Sequence, residues 1–394
     1  MADFTKEDYR DMAIAEVCRV PNELRPKIML MYADFLHGVD FICVDDENGH
    51  DVVSPVTNLF SSGEISSLFY SNNLRVLNLD FLSRKKSKFW YHYNLMLDTQ
   101  MVSYIERLLR KGSLEKPLLD KVKALQIQTD FSFTFNMTPY IMENCLFKES
   151  IDDETITSIR SSLYFFYEKV TPPKRAKQLA EKQTKEIIAD YSNLSYAICK
   201  HEERYYYSYC TLLKIVLLSF IKGNIKQKME DFIHFQNYDT CTCDTFSQIL
   251  ALEFWRRGTQ FSFFSKIQKG NRDLIKNIKN MAWDFFHIIS AQLNFSYILE
   301  EQADINMPLF CTADKRLQDL CKITKLQCVA VDHINHTANP VYENSALNEL
   351  FSWEEQRELF GAKALHYRNQ NRKNVNTKIL SECLEEELRK IQDA

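Results

Sequence analysis

YHYNLMLDTQMVSYIERLL, residues Tyr91 to Leu109, is the stretch whose reading decides the fold. Tyr91–Leu97 is an apolar, aromatic run of strand length, and Asp98 ends it. Beyond Asp98, Met101, Tyr104, Ile105 and Leu108 recur at the spacing of one helix face. A strand that passes into a helix through an acid predicts one βα unit. Similar wording returns elsewhere. Phe131–Phe135 is an aromatic strand candidate, followed by Thr138–Phe147, where Thr138 would cap a helix and Pro139 take its first position. Pro308–Cys311 (PLFC) is a short strand that turns into a helix over Thr312–Leu320, and Cys328–Val331 (CVAV) is a further strand. Strands alternating with helices predict an α/β fold with a parallel sheet.

Around these units the chain reads as mostly helical. Tyr9–Val17 and Pro26–Leu36 have helical patterning; Val39–Val44 (VDFICV) is a strand candidate running into the polar turn Asp45–Asp51, and Ser83–Lys88 is a basic break. Residues 151–271 carry long helical patterns, with the polar stretch Thr171–Lys185 and the run Tyr205–Tyr209 (YYYSY), and a further helix spans Arg272–Ala291. The tail from Asn344 onward is helical, with a basic polar patch at Tyr367–Asn374.

Composition narrows the function classes. The chain has 394 residues, 49 Lys+Arg against 53 Asp+Glu, and a formal net charge of −4, which excludes a strongly basic nucleic-acid binder but not local patches. At 45% apolar and 26% charged it is an ordinary globular sequence. With 8 Gly and 9 Pro it has too few turn formers for a many-stranded sandwich or propeller, and 27 Phe with 19 Tyr point to aromatic helix packing. Eleven scattered cysteines read as reduced thiols. Met1–Arg10 is polar, and the longest apolar run, Ile215–Ile221, is too short to span a bilayer, so a cytoplasmic protein with no membrane partner is expected.

Four acids stand where an α/β sheet places its working groups, at strand ends and on the helices that follow. Asp98 follows NLML; Glu143 lies in PYIMENCLF; Asp284 lies in NMAWDFFHIISAQL, inside an apolar helix where an unpaired carboxylate is costly; Asp314 follows PLFC in FCTADKRLQDL. Any one alone is explained by the preference of aspartate for helix starts. Four together suit Mg²⁺ or Mn²⁺, which take oxygen ligands.

In this order the segments resemble the motifs of PIN-domain nucleases, a Rossmann-like α/β family of metal-dependent ribonucleases. LMLDTQMVSYI resembles the opening strand, aspartate and helix; PYIMEN the second motif; NMAWDFFHIISAQL the third; and PLFCTADKRLQDLC the fourth, with Thr312, Asp314 and Leu317. Between Glu143 and Asp284 lie 141 residues of separation, so the resemblance requires a helical insertion. It implies an accessory region over 1–88, a PIN-like core in two parts (89–150 and 272–335), an insertion over 151–271 and a C-terminal helical region over 336–394. Nearby alternatives for the second motif are Glu149, Asp152, Asp153 and Glu154, and Asp332 is a candidate fifth acid.

The resemblance further implies that Asp98, Glu143, Asp284 and Asp314 are catalytic and hold Mg²⁺ or Mn²⁺, with the hydroxyl of Thr312 orienting Asp314. The expected activity is hydrolysis of RNA phosphodiester bonds by an endoribonuclease, by analogy a toxin or anti-phage effector, with a protein partner that restrains or triggers it and oligomerisation left open. The competing expectations are a non-catalytic interaction protein on the same core and a DNA endonuclease.

For the RNA path, Arg256–Lys279 carries seven basic residues and one acid. Arg256, Arg257, Lys266, Lys269 and Arg272 would pair with phosphates, and Phe261, Phe263 and Phe264 would stack on unpaired bases. Lys174–Lys185 and Arg368–Lys373 are weaker candidates. Cys241 and Cys243 with His234 lack zinc-ligand spacing. Asp45–Asp51 matches only part of a calcium loop. Tyr205–Tyr209 reads as helix packing, and His333 and His336 as loop residues after Asp332.

Overall fold

The computed structural model describes residues 5–45, 65–67, 69, 74–85, 91–112, 114–116, 118–120, 122–123, 133–148, 150–193, 195–296, 304–323, 326–343 and 345–393. Glu149, residues 46–51 of the acidic turn, residues 86–88 of the basic break and residues 131–132 of the second strand candidate lie outside them. Eight strands are described: β1 (Val39–Val44), β2 (Ile65–Ser67), β3 (Leu74–Leu77), β4 (Tyr91–Leu97), β5 (Phe133–Asn136), β6 (Ile305–Cys311), β7 (Leu326–Asp332) and β8 (Thr337–Tyr342).

The expected βα unit forms, its strand with the expected bounds and its helix running two residues past Leu109, to Lys111. Asp98 sits in extended backbone (φ −77°, ψ 165°) and its carboxylate accepts the Met101 N–H at 2.7 Å, satisfying one of the amides left open at the start of the helix Thr99–Lys111. Gly112, at φ +66°, ends that helix in the left-handed conformation. β4 is buried on both faces, with Asn94, Leu95, Met96 and Leu97 inaccessible, the environment of a central parallel strand. It pairs in parallel with β5 and with β6, the latter from Tyr91 opposite Ile305 to Leu97 opposite Cys311.

The sheet order is β2-β6-β4-β5, with β2 antiparallel on the edge of β6. The chain therefore leaves the central β4 toward β5 on one side and comes back as β6 on the other. Where the direction of winding reverses, the loops after adjacent strands diverge and a crevice opens at their carboxyl ends. In this sheet that place is between β4 and β6.

The fold is thus α/β, with a parallel three-strand sheet and a second, antiparallel one. β7, expected beside the parallel strands, instead lies in the second sheet, of order β3-β1-β7-β8. β8 was not foreseen because Asn339 and Pro340 interrupt it; Pro340 is tolerated because β8 is an edge strand. Residues 1–88 supply strands to both sheets, so that region is woven into the fold.

Between β5 and β6 the chain forms the helices Thr138–Cys145, Asp153–Val170, Pro173–Asn193, Ser195–Phe220, Ile225–Tyr238, Thr245–Arg257 and Leu274–Asn294. The Ser195–Phe220 helix packs against Leu274–Asn294 and against the C-terminal helix Thr377–Asp393. A single apolar cluster runs from the parallel sheet through these helices, including Phe135, Phe166, Leu213, Phe285 and Phe310. A smaller one, with Ala13, Met29, Phe41 and Ala330, lies under the N-terminal helices. Among the described residues no helix is long and apolar enough to cross a membrane.

A candidate acidic centre at the carboxyl ends of β4 and β6

Asp98 and Thr312 directly follow the paired residues Leu97 and Cys311, and the Asp98 N–H donates to the Cys311 carbonyl at 3.2 Å. The Thr312 hydroxyl donates to Asp98 Oδ2 and accepts the Asp314 N–H at 3.0 Å. Thr312 was expected to orient Asp314; it ties the Asp314 backbone to the Asp98 side chain, with its own hydroxyl fully buried. Asp314 opens the helix Lys315–Ile323, accepting the Arg316 N–H at 2.7 Å, and its other oxygen pairs with the Arg316 guanidinium at 2.9 Å.

Glu143 reaches the same end of the sheet from the helix after β5. Its Oε2 accepts from the Thr99 hydroxyl, one residue after Asp98, and lies 3.3 Å from His287 Nε2. His287 is on the Leu274–Asn294 helix, one turn beyond Asp284, and is 2% exposed, with its ring along Phe310 of β6 and its Nδ1 buried without a hydrogen-bond partner among the described residues. The sequence reading missed His287. A single histidine in an apolar helix looks like core, and only its three-residue spacing from Asp284 hinted otherwise.

Proton affinities tie the four acids into one electrostatic unit. Burial, with the charges of Asp314, Glu143 and Asp98, pushes the Asp284 carboxyl well above the usual range, and Arg316 opposes them. Burial lifts Asp98 to about 6, against hydrogen bonds from Thr312 and Met101, and Glu143 adds to the rise. Glu143 also feels burial, but His287 and Thr99 outweigh it and hold the carboxyl low. Asp314 is likewise held low, because Arg316 more than offsets its burial. Each shift follows from burial, opposite charge or hydrogen bonding to the charged form.

Two strand ends and two helices therefore bring the four candidate acids within electrostatic reach of one another. Asp284 alone of the four makes no hydrogen bond or ion pair with any described residue. As the side chains stand, no group of three or more His, Cys, Asp or Glu among the described residues is set to hold an ion. Three of the four carboxyls are instead engaged by Thr312, Thr99, His287 and Arg316. The donor set, all carboxylate oxygen, has the chemistry of a Mg²⁺ or Mn²⁺ site.

The other candidates lie elsewhere. Asp332, the fifth acid considered, is held by Arg10 through two contacts of 2.5 and 2.7 Å in the antiparallel sheet. His333 pairs with Asp40 at 2.8 Å. Asp152 caps the helix Asp153–Val170, whose first residues are Asp153 and Glu154.

The stacking role expected of Phe261, Phe263 and Phe264 is corrected: all three are at most 2% exposed and pack on one another and on Phe254. Their spacing among basic residues reflects two short turns that point the rings inward. Arg256 is paired with Glu349 and Arg257 with Glu253, both at 3.1 Å, while Lys266, Lys269 and Arg272 are exposed. The Ser262 hydroxyl, between these residues, donates to Asp319 at 3.1 Å, on the helix that Asp314 opens.

No protein-family model, curated protein or solved structure matches the chain.

Proposed function

We propose that the chain is a metal-dependent nuclease on a Rossmann-like, PIN-like core, hydrolysing RNA phosphodiester bonds. The observation that carries the reading is Asp284. A carboxyl on a largely apolar helix, repelled by three other acids and bonded to none of the described residues, raises the cost of folding. A cation binding there offsets that cost, which gives such an arrangement a use.

Asp98, Glu143, Asp284 and Asp314 would hold Mg²⁺ or Mn²⁺. When bound, such an ion lowers the pKa of its water and offsets charge gathering on the phosphate. The remaining work belongs to the chain. Thr312 fixes the Asp98 carboxylate and, through the Asp314 N–H, the start of the next helix. Thr99 and His287 aim the Glu143 carboxylate. Asp284, whose proton affinity is raised by burial and by the charges of Asp314, Glu143 and Asp98, is the carboxyl for which a cation would bring the largest relief. Arg316 neutralises Asp314 at the rim and is placed to contact a phosphate oxygen.

The test compares cleavage of a single-stranded RNA and a single-stranded DNA of the same sequence, with Mn²⁺ and with EDTA, for the natural chain and Asp98→Asn. Mn²⁺-dependent RNA cleavage lost in Asp98→Asn is the expected result. Cleavage confined to DNA would reassign the substrate, and no cleavage of either would favour a non-catalytic interaction protein.

A further inference from the structure

We propose that Phe147, with Tyr206 and Trp283, forms a stacking platform that seats one unpaired base beside the acidic centre. This rests on the nuclease reading for the identity of the ligand, and it replaces the stacking role lost with Phe261, Phe263 and Phe264.

Phe147 is 55% exposed, although it belongs to an aromatic cluster. It lies four residues after Glu143, and Leu146 between them keeps right-handed helical backbone (φ −52°, ψ −35°). Phe147 thus stands about one turn, roughly 6 Å, further along the face that carries Glu143. Trp283 precedes Asp284, and its ring centre lies 6.4 Å from that of His287, the side chain touching Glu143. Phe147 meets Trp283 at 6.1 Å, Tyr206 at 6.0 Å and the buried Tyr205 at 5.2 Å, while Tyr205 supports Trp283 from 4.3 Å. The platform therefore has a rigid floor, an open ring on top, and two links to the acids.

The surrounding charge selects the kind of ligand. Lys378 lies 5.8 Å from the Tyr206 ring centre and Lys148 follows Phe147, but they are paired with Glu202 and Asp152 respectively. Glu202, Glu382 and Glu385 act on the Tyr206 hydroxyl. This is not a basic groove that tracks a phosphate backbone. A strand held here is held by a base lying on an aromatic face, with few phosphate contacts. Such binding is single-strand-specific, tolerant of sequence and only weakly dependent on salt.

The experiment uses the full chain in EDTA, so that no cleavage competes, and a short single-stranded oligonucleotide carrying one 2-aminopurine, whose fluorescence falls when it stacks. The expected result is saturable quenching that changes little between low and moderate salt and is absent with the duplex. Phe147→Ala should weaken binding about 5- to 150-fold, the worth of one stacked base, and Phe147→Trp should restore it. Because Phe147 is exposed, its truncation empties no core, and an unchanged thermal midpoint checks this. Equal binding by Phe147→Ala and the natural chain, or no quenching at all, overturns the proposal. Quenching without any Mn²⁺-dependent cleavage would sink the nuclease reading and leave the platform standing. Cleavage with KM unchanged in Phe147→Ala would do the reverse.

Discussion

Both sheets place aspartates in or after their strands, and the two sets are treated differently. In the antiparallel sheet each has a partner: Asp332 is clasped by Arg10, Asp45 meets Arg75 at 3.4 Å, and Asp40 is held by His333 and Asn78. Near the ends of β4 and β6 four acids act on one another electrostatically, with His287 touching one and Arg316 another, and Asp284 makes no hydrogen bond among the described residues. The same residue type is thus structural where its charge is matched and a candidate working group where it is not. Two of the four also cap helices, which alone explains Asp98 and Asp314 as local structure. Capping does not explain Asp284.

The largest effect expected from this contrast falls on the matched side. Arg10→Ala leaves Asp332 buried with its charge unpaired and should cost about 3–5 kcal/mol, read as a lower urea midpoint. On the unmatched side Asp98→Asn should lower Mn²⁺-dependent cleavage at least about 100-fold, roughly 2.7 kcal/mol of barrier, without lowering the thermal midpoint. Asp284→Asn should raise the thermal midpoint in EDTA, because it removes a partly exposed carboxyl repelled by three others; a marked drop would mean that Asp284 has a structural partner.

The two regions also predict opposite pH slopes. Asp98 and Asp284 have raised proton affinities, so the folded chain keeps protons that the unfolded chain releases. Their contribution weakens the fold as pH rises from about 4 through about 6 and beyond. Asp332 is held low, and its contribution is present above about 4 and lost as pH falls through its lowered value. Thermal midpoints between pH 3 and 8 should therefore flatten above pH 4 in Asp98→Asn, and lose part of their acid-side fall in Arg10→Ala. The smallest effect concerns the exposed pair Arg256–Glu349. Arg256→Gln should change stability by less than about 0.5 kcal/mol and leave oligonucleotide binding unaltered.

What the sequence made legible follows from burial. β4 and β6 are covered on both faces, so they appear as largely apolar runs, and the acids at their ends stand out against them. β8 was hidden by Pro340, and the assignment of β7 to a different sheet depends on pairing with β1, nearly 300 residues earlier, which no local pattern reports. Phe261, Phe263 and Phe264 were misread because spacing does not say whether a ring points inward. Phe147 passed unnoticed for the opposite reason, since its partners Tyr206 and Trp283 come from two other helices.

The central proposal is that the four acids together take up a cation, and Mn²⁺ titration of the full chain, followed by calorimetry and thermal midpoint at neutral pH, addresses it most directly. Saturable binding that raises the midpoint of the natural chain, and fails to do so in Asp284→Asn or Asp98→Asn, is the predicted result. Identical titrations for all three chains would contradict it.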